Sequence, residues 1–98
     1  MNGIIERIKF LESLSAISDW VGLDYIRLAR EEVDDAIISV ESSNGFTEDD
    51  KNKICNKLRL IHKLLVDGDM HKASGELREL SRPLWEDVRV KCEIISQL

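Results

Sequence analysis

The side chains best suited to chemistry in this chain are two histidines, two cysteines and a set of clustered carboxylates. His62 follows Cys55 by seven residues and precedes His71 by nine. On a helix, a spacing of seven is about two turns, or roughly 10 Å along the axis, too far for one metal ion to be shared without a bend. No HExxH pair, no paired CxxC and no Asp-rich calcium loop occurs. The histidines therefore read as surface or boundary residues whose only notable property is a charge that can change near neutral pH. Cys55 and Cys92 fall on or beside apolar stripes, the usual position of an inert buried thiol. No serine sits in a GxSxG elbow, and Gly68 and Gly75 do not build a phosphate-binding loop. Glu31, Glu32, Asp34 and Asp35 could supply an acid–base pair, but neighbours on one helix read as a solvated charged face. The expectation is a protein without catalytic residues, metal or cofactor.

Charge is sorted into blocks. From Glu31 to Asp50 the chain carries Glu31, Glu32, Asp34, Asp35, Glu41, Glu48, Asp49 and Asp50 with no lysine or arginine. From Lys51 to Val66 it carries Lys51, Lys53, Lys57, Arg59 and Lys63 with no acid. Adjacent segments of opposite sign favour packing against each other, and each can offer a charged face to a partner.

Helical spacing of apolar residues dominates, and no period-two alternation competes with it. A first helix is expected over about Gly3–Ile17, with Ser18-Asp19-Trp20-Val21-Gly22 as the break because Ser and Asp cap helices and Gly ends them. A second, about Asp24–Ser42, buries Ile26, Ala29, Val33, Ile37 and Val40. It stops at Ser42-Ser43-Asn44-Gly45, where Asn and Gly tolerate the left-handed backbone. Thr47 caps a third, whose stripe is Ile54, Leu58, Ile61 and Leu65, and Asp67-Gly68-Asp69 ends it. A fourth covers about Met70–Leu80. Pro83, better accepted in a first turn than in a helix interior, is expected to start a fifth over about Pro83–Gln97, with Trp85, Val88, Cys92 and Ile95 on one face; a kinked helix continuous with the fourth is the alternative. The fold class is all-α, a compact antiparallel bundle of four to five helices in one domain spanning residues 1–98.

The segment Leu64–Leu80 (LLVDGDMHKASGELREL) resembles the turn and second helix of a tetratricopeptide repeat. The similarity lies in Gly68 and Asp69 in the turn, Met70 after it, the small Ala73 and the large apolar Leu77. It spans about half of one repeat of roughly 34 residues. The upstream helix lacks the family's Trp and Gly-Tyr marks, and no second copy follows. What it implies is a helical hairpin with a tight turn and a small residue at the crossing, a geometry shared by any αα-hairpin.

Composition narrows the function class. An apolar share of 43% and a charged share of 34% fit a globular chain, and the net charge of −5 works against nonspecific binding to nucleic acid or anionic membrane. The N-terminal sequence lacks the pattern of a signal peptide, no apolar stretch reaches the ~20 residues of a membrane span, and the cysteines form no disulfide framework, so a reducing cytoplasm is expected. The remaining expectation is a non-enzymatic binding protein that neutralises a partner, such as a toxin or other basic-surfaced enzyme, in the manner of an immunity protein, antitoxin or inhibitor. Its partner-binding residues would be Tyr25, Glu31, Asp34, Asp35 and Glu41, with Trp20 and Trp85 either anchoring a partner or filling the core. One alternative is a nucleic-acid-associated regulator using Lys53, Lys57, Arg59 and Lys63. Another is a dimeric adaptor or chaperone-like protein that buries Val90, Ile94 and Leu98 across a two-fold axis.

Overall fold

The structure, a computed structural model, describes the backbone of residues 2–96 and the side chains of residues 4–90. Four helices account for almost all of it: α1 (Asn2–Gly22), α2 (Ile26–Ser42), α3 (Glu48–Val66) and α4 (Met70–Ser96). Each packs on its neighbour in sequence, and α1 also packs on α4, so the four close into a ring around one core. Leu11, Ile17, Val33, Val40, Leu58, Ile61 and Leu65 are its fully enclosed large side chains. Ala29, Ala36 and Ala73 are buried too, and with no bulk beyond Cβ they let neighbouring backbones approach.

α1 continues through Ser18–Gly22, where the sequence suggested a break. Ile17 and Val21 are buried and Trp20 packs against the core, while Ser18 and Asp19 face water. Burying two large aliphatic side chains yields about 1.5–3 kcal/mol each, which outweighs the few tenths that Ser and Asp cost inside a helix. The stop comes at Asp24, in the left-handed region at φ 64°. Asp24 N donates to Val21 O (3.1 Å) and Tyr25 N to Trp20 O (2.9 Å), the paired closure of a Schellman turn. Gly68 ends α3 in the same way, at φ 82°, with Gly68 N bonded to Leu65 O (3.2 Å) and Asp69 N to Leu64 O (2.9 Å). Ser43–Thr47 does join α2 to α3 as expected, but neither Asn44 nor Gly45 is left-handed; Ser43 leaves the helix in extended conformation instead.

Thr47 caps α3 by accepting Asp50 N (3.2 Å), with Glu48, Asp49 and Asp50 in the first turn of the helix. Asp69 does the same for α4, accepting Lys72 N (3.2 Å). Pro83 lies inside α4 and does not start a fifth helix. The residues on either side explain this. Leu77, Leu80, Leu84 and Val88 form one stripe facing the core across the proline, and that burial offsets the roughly 3 kcal/mol an interior proline costs. Pro83 and Glu79, whose carbonyl loses its i+4 donor, both lie on the exposed side. Trp85, expected inward, is 56% exposed, because the inward stripe passes through Leu84 and Val88.

The two left-handed positions give a direct test. A Cβ at Gly68 meets no atom within 4 Å, so Gly68→Ala carries only the backbone cost, about 1–2 kcal/mol. Asp24→Gly should stabilise the protein by roughly 0.5–1 kcal/mol, since glycine reaches the same backbone without strain. Urea denaturation midpoints of the two variants should move in opposite directions.

Candidate functional surface

The acidic and basic blocks meet where α2 packs on α3. Glu41 pairs with Arg59 (3.0 Å), and the Glu41 carbonyl accepts Lys51 Nζ (3.3 Å). One helical turn-pair earlier on α2, Asp34 stands 3.6 Å from His62 Nε2, a contact that becomes an ion pair when the imidazole is protonated. Asp34 and Glu41, seven residues apart, thus share the flank of α2 that faces α3. Glu31 and Asp35 turn further outward. Glu31 pairs within its own helix with Arg27 (3.7 Å).

Between these two rows lies Ile38, 61% exposed. It stands four residues after Asp34, three after Asp35 and seven after Glu31, so it sits in the middle of the carboxylates on the outer face of α2. The sequence reading passed over Ile38. Its signal was the adjacent pair Ile37-Ile38, of which only one can point to the core on a helix. Tyr25, at the start of α2, is 55% exposed and packs edge-on against Trp20, with ring centroids 5.9 Å apart. It lies at the opposite end of the helix from Glu41, so the five expected residues form a strip along α2 and not a compact cluster.

Two of the four cations proposed for nucleic acid are held by neighbouring helices. Arg59 is turned to α2 by Glu41, and Lys57 is turned to α4, where it pairs with Glu76 and with Glu79 (3.1 Å). Lys53 and Lys63 stay exposed. Lys57 and Lys53 border an open groove of about 830 Å³ between α3 and α4, lined on its apolar side by Phe46, Ile54, Leu60, Leu80 and Leu84. Of the expected dimer residues, Val90 is exposed; the side chain of Ile94 and all of Leu98 lie outside the described residues.

No reactive constellation appears among the described residues. No three His, Cys, Asp or Glu side chains come close enough to hold a metal ion. His71 is exposed. Cys55 is buried, and burial, followed by the negative charge of Glu41, pushes its thiol above the usual range against the opposing charges of Arg59 and Lys51. Its side chain packs in the core. The side chain of Cys92 lies outside the described residues. No described helix is long and apolar enough to cross a membrane. No known protein family matches the chain, and neither a curated protein nor a solved structure is similar to it.

Lys57 gives a prediction with a definite sign. The carboxylates of Glu76 and, next, Glu79 raise its pKa above 10.5 in the folded protein. A raised folded-state pKa means the interaction contributes in full below the unfolded value and is lost as pH climbs through the folded one. Lys57→Met should therefore cost about 1 kcal/mol at pH 8. The difference from the parent protein, followed by urea denaturation, should shrink steadily above about pH 10.5.

Proposed function

We propose that this chain is a non-enzymatic protein-binding module that neutralises a basic-surfaced partner protein, in the manner of an immunity protein or antitoxin. The helices are taken to run antiparallel, as their short connections favour. Capture is through the outer face of α2. The observation that supports this reading is Ile38, a large apolar side chain held in water among Glu31, Asp34 and Asp35. Carboxylates around an apolar centre are what a cationic partner surface with a small apolar recess would meet. The charges speed and orient the encounter, and the desolvated centre supplies most of the affinity. Tyr25 extends the strip with an amphipathic ring at the other end of α2. A free buried thiol at Cys55 accords with action in a reducing cytoplasm.

Two variants separate the contributions of charge and apolar contact. Glu31→Lys, Asp34→Lys and Asp35→Lys combined should slow association with the partner and flatten its dependence on salt. Ile38→Asp should leave the salt dependence in place but raise the dissociation rate roughly tenfold or more. Surface plasmon resonance against the partner purified with the native protein measures both. Unchanged kinetics in both variants would place the binding surface elsewhere.

A further inference from the structure

We propose that α4 is built in two parts, and that its segment from Pro83 to Val90 is a latch, hinged at Pro83 and held shut by Arg7. The two parts differ in how they are held. Before the proline, the apolar side chains Met70, Ala73, Leu77 and Leu80 are all buried or half-buried, and Glu76 and Glu79 are tied to α3 through Lys57. Among the described side chains from Pro83 to Val90, Val88 is buried, Leu84 and Asp87 are half-buried, and Pro83, Trp85 and Val90 are exposed. Pro83 has no N–H to give the Glu79 carbonyl, so one bond of the helix ladder is missing at their junction.

Arg7 adds a polar tie to this described segment. Its side chain is 17% exposed, and its Nε lies 3.3 Å from Asp87 Oδ2. The same guanidinium donates from Nη1 to Gly45 O (3.1 Å) and stands 5.2 Å from the centre of the Phe46 ring. One residue of α1 thus joins the latch to the α2–α3 loop. That loop is further fixed to α1 by Ser43 Oγ, which donates to Glu6 (3.1 Å) and accepts Gly45 N (2.9 Å), and by Phe46 edge-on against Phe10 at 6.0 Å. Leu84, Phe46 and Ile54 line one groove, so swinging the latch away widens an apolar surface that α4 now half covers.

Hydrogen exchange on the full chain, resolved by segment, tests this. In the parent protein, amides of residues 84–90 should exchange at least tenfold faster than those of residues 73–82. Arg7→Ala should accelerate residues 84–90 and 45–46 by a further tenfold or more, with residues 54–65 nearly unchanged, and Pro83→Ala should slow residues 84–90. Asp87→Asn, which keeps the shape of the side chain, should reproduce the effect on residues 84–90 if Arg7→Ala does not fold. Equal protection across residues 73–90 would overturn the proposal. So would a uniform acceleration of all four helices in Asp87→Asn, since Arg7 would then be a general brace and not the catch of a latch.

Discussion

Every helix of this chain depends on a single apolar cluster, to which α1 gives Leu11 and Ile17, α2 Val33 and Val40, α3 Leu58 and Ile61, and α4 Ala73 and Leu77. A chain of 98 residues has room for only one such core and little surplus stability, so none of the four helices can be expected to hold alone. Ring closure by α1 against α4 completes the enclosure. The constraint also works outward. Because that interior is apolar, ionised side chains are driven to its edge or to the surface, where they are free to meet other molecules. At that edge the Arg7 guanidinium finds a carboxylate, a carbonyl and a ring face together.

The charged blocks of the sequence divide between two uses. Some carboxylates face the neighbouring helix: Glu41 and Asp34 turn to α3, which shortens the list of groups a partner could reach freely. These exposed pairs contribute ~0–1 kcal/mol each and matter more for the register of α2 on α3 than for stability. The others, Asp35 and Glu31 above all, are left on the outer face beside Ile38. The basic block is spent differently. Arg59 is drawn to α2 and Lys57 to α4 by separate partners, while Lys53 and Lys63 stay exposed.

Much of the fold is legible in the sequence because it rests on periodicity. The buried stripe of α3, its Thr47 cap and its Gly68 stop can all be read from residue type and spacing. What misleads is local preference where tertiary burial opposes it. Ser18 and Asp19 look like a helix end, yet Ile17 and Val21 carry α1 past them to Gly22. Pro83 looks like a helix start, yet Leu80, Leu84 and Val88 hold α4 continuous across it. Asp24 in a glycine-like conformation leaves no mark in composition at all. The surface is less legible than the fold. Periodicity shows that Glu31 and Asp35 share a face, but not that Ile38 and not Ile37 would stand exposed between them. The ties from Arg7 to Asp87 and Gly45 join residues 80 and 38 positions apart, and no local pattern encodes them.

The reading that α2 presents the working surface can be tested by replacing single residues with a photo-crosslinking amino acid and irradiating the native cell. The account predicts that a probe at Ile38 couples to one defined protein and that a probe at Lys63, on the outer side of α3, does not. Coupling at position 63 with none at position 38 would contradict it.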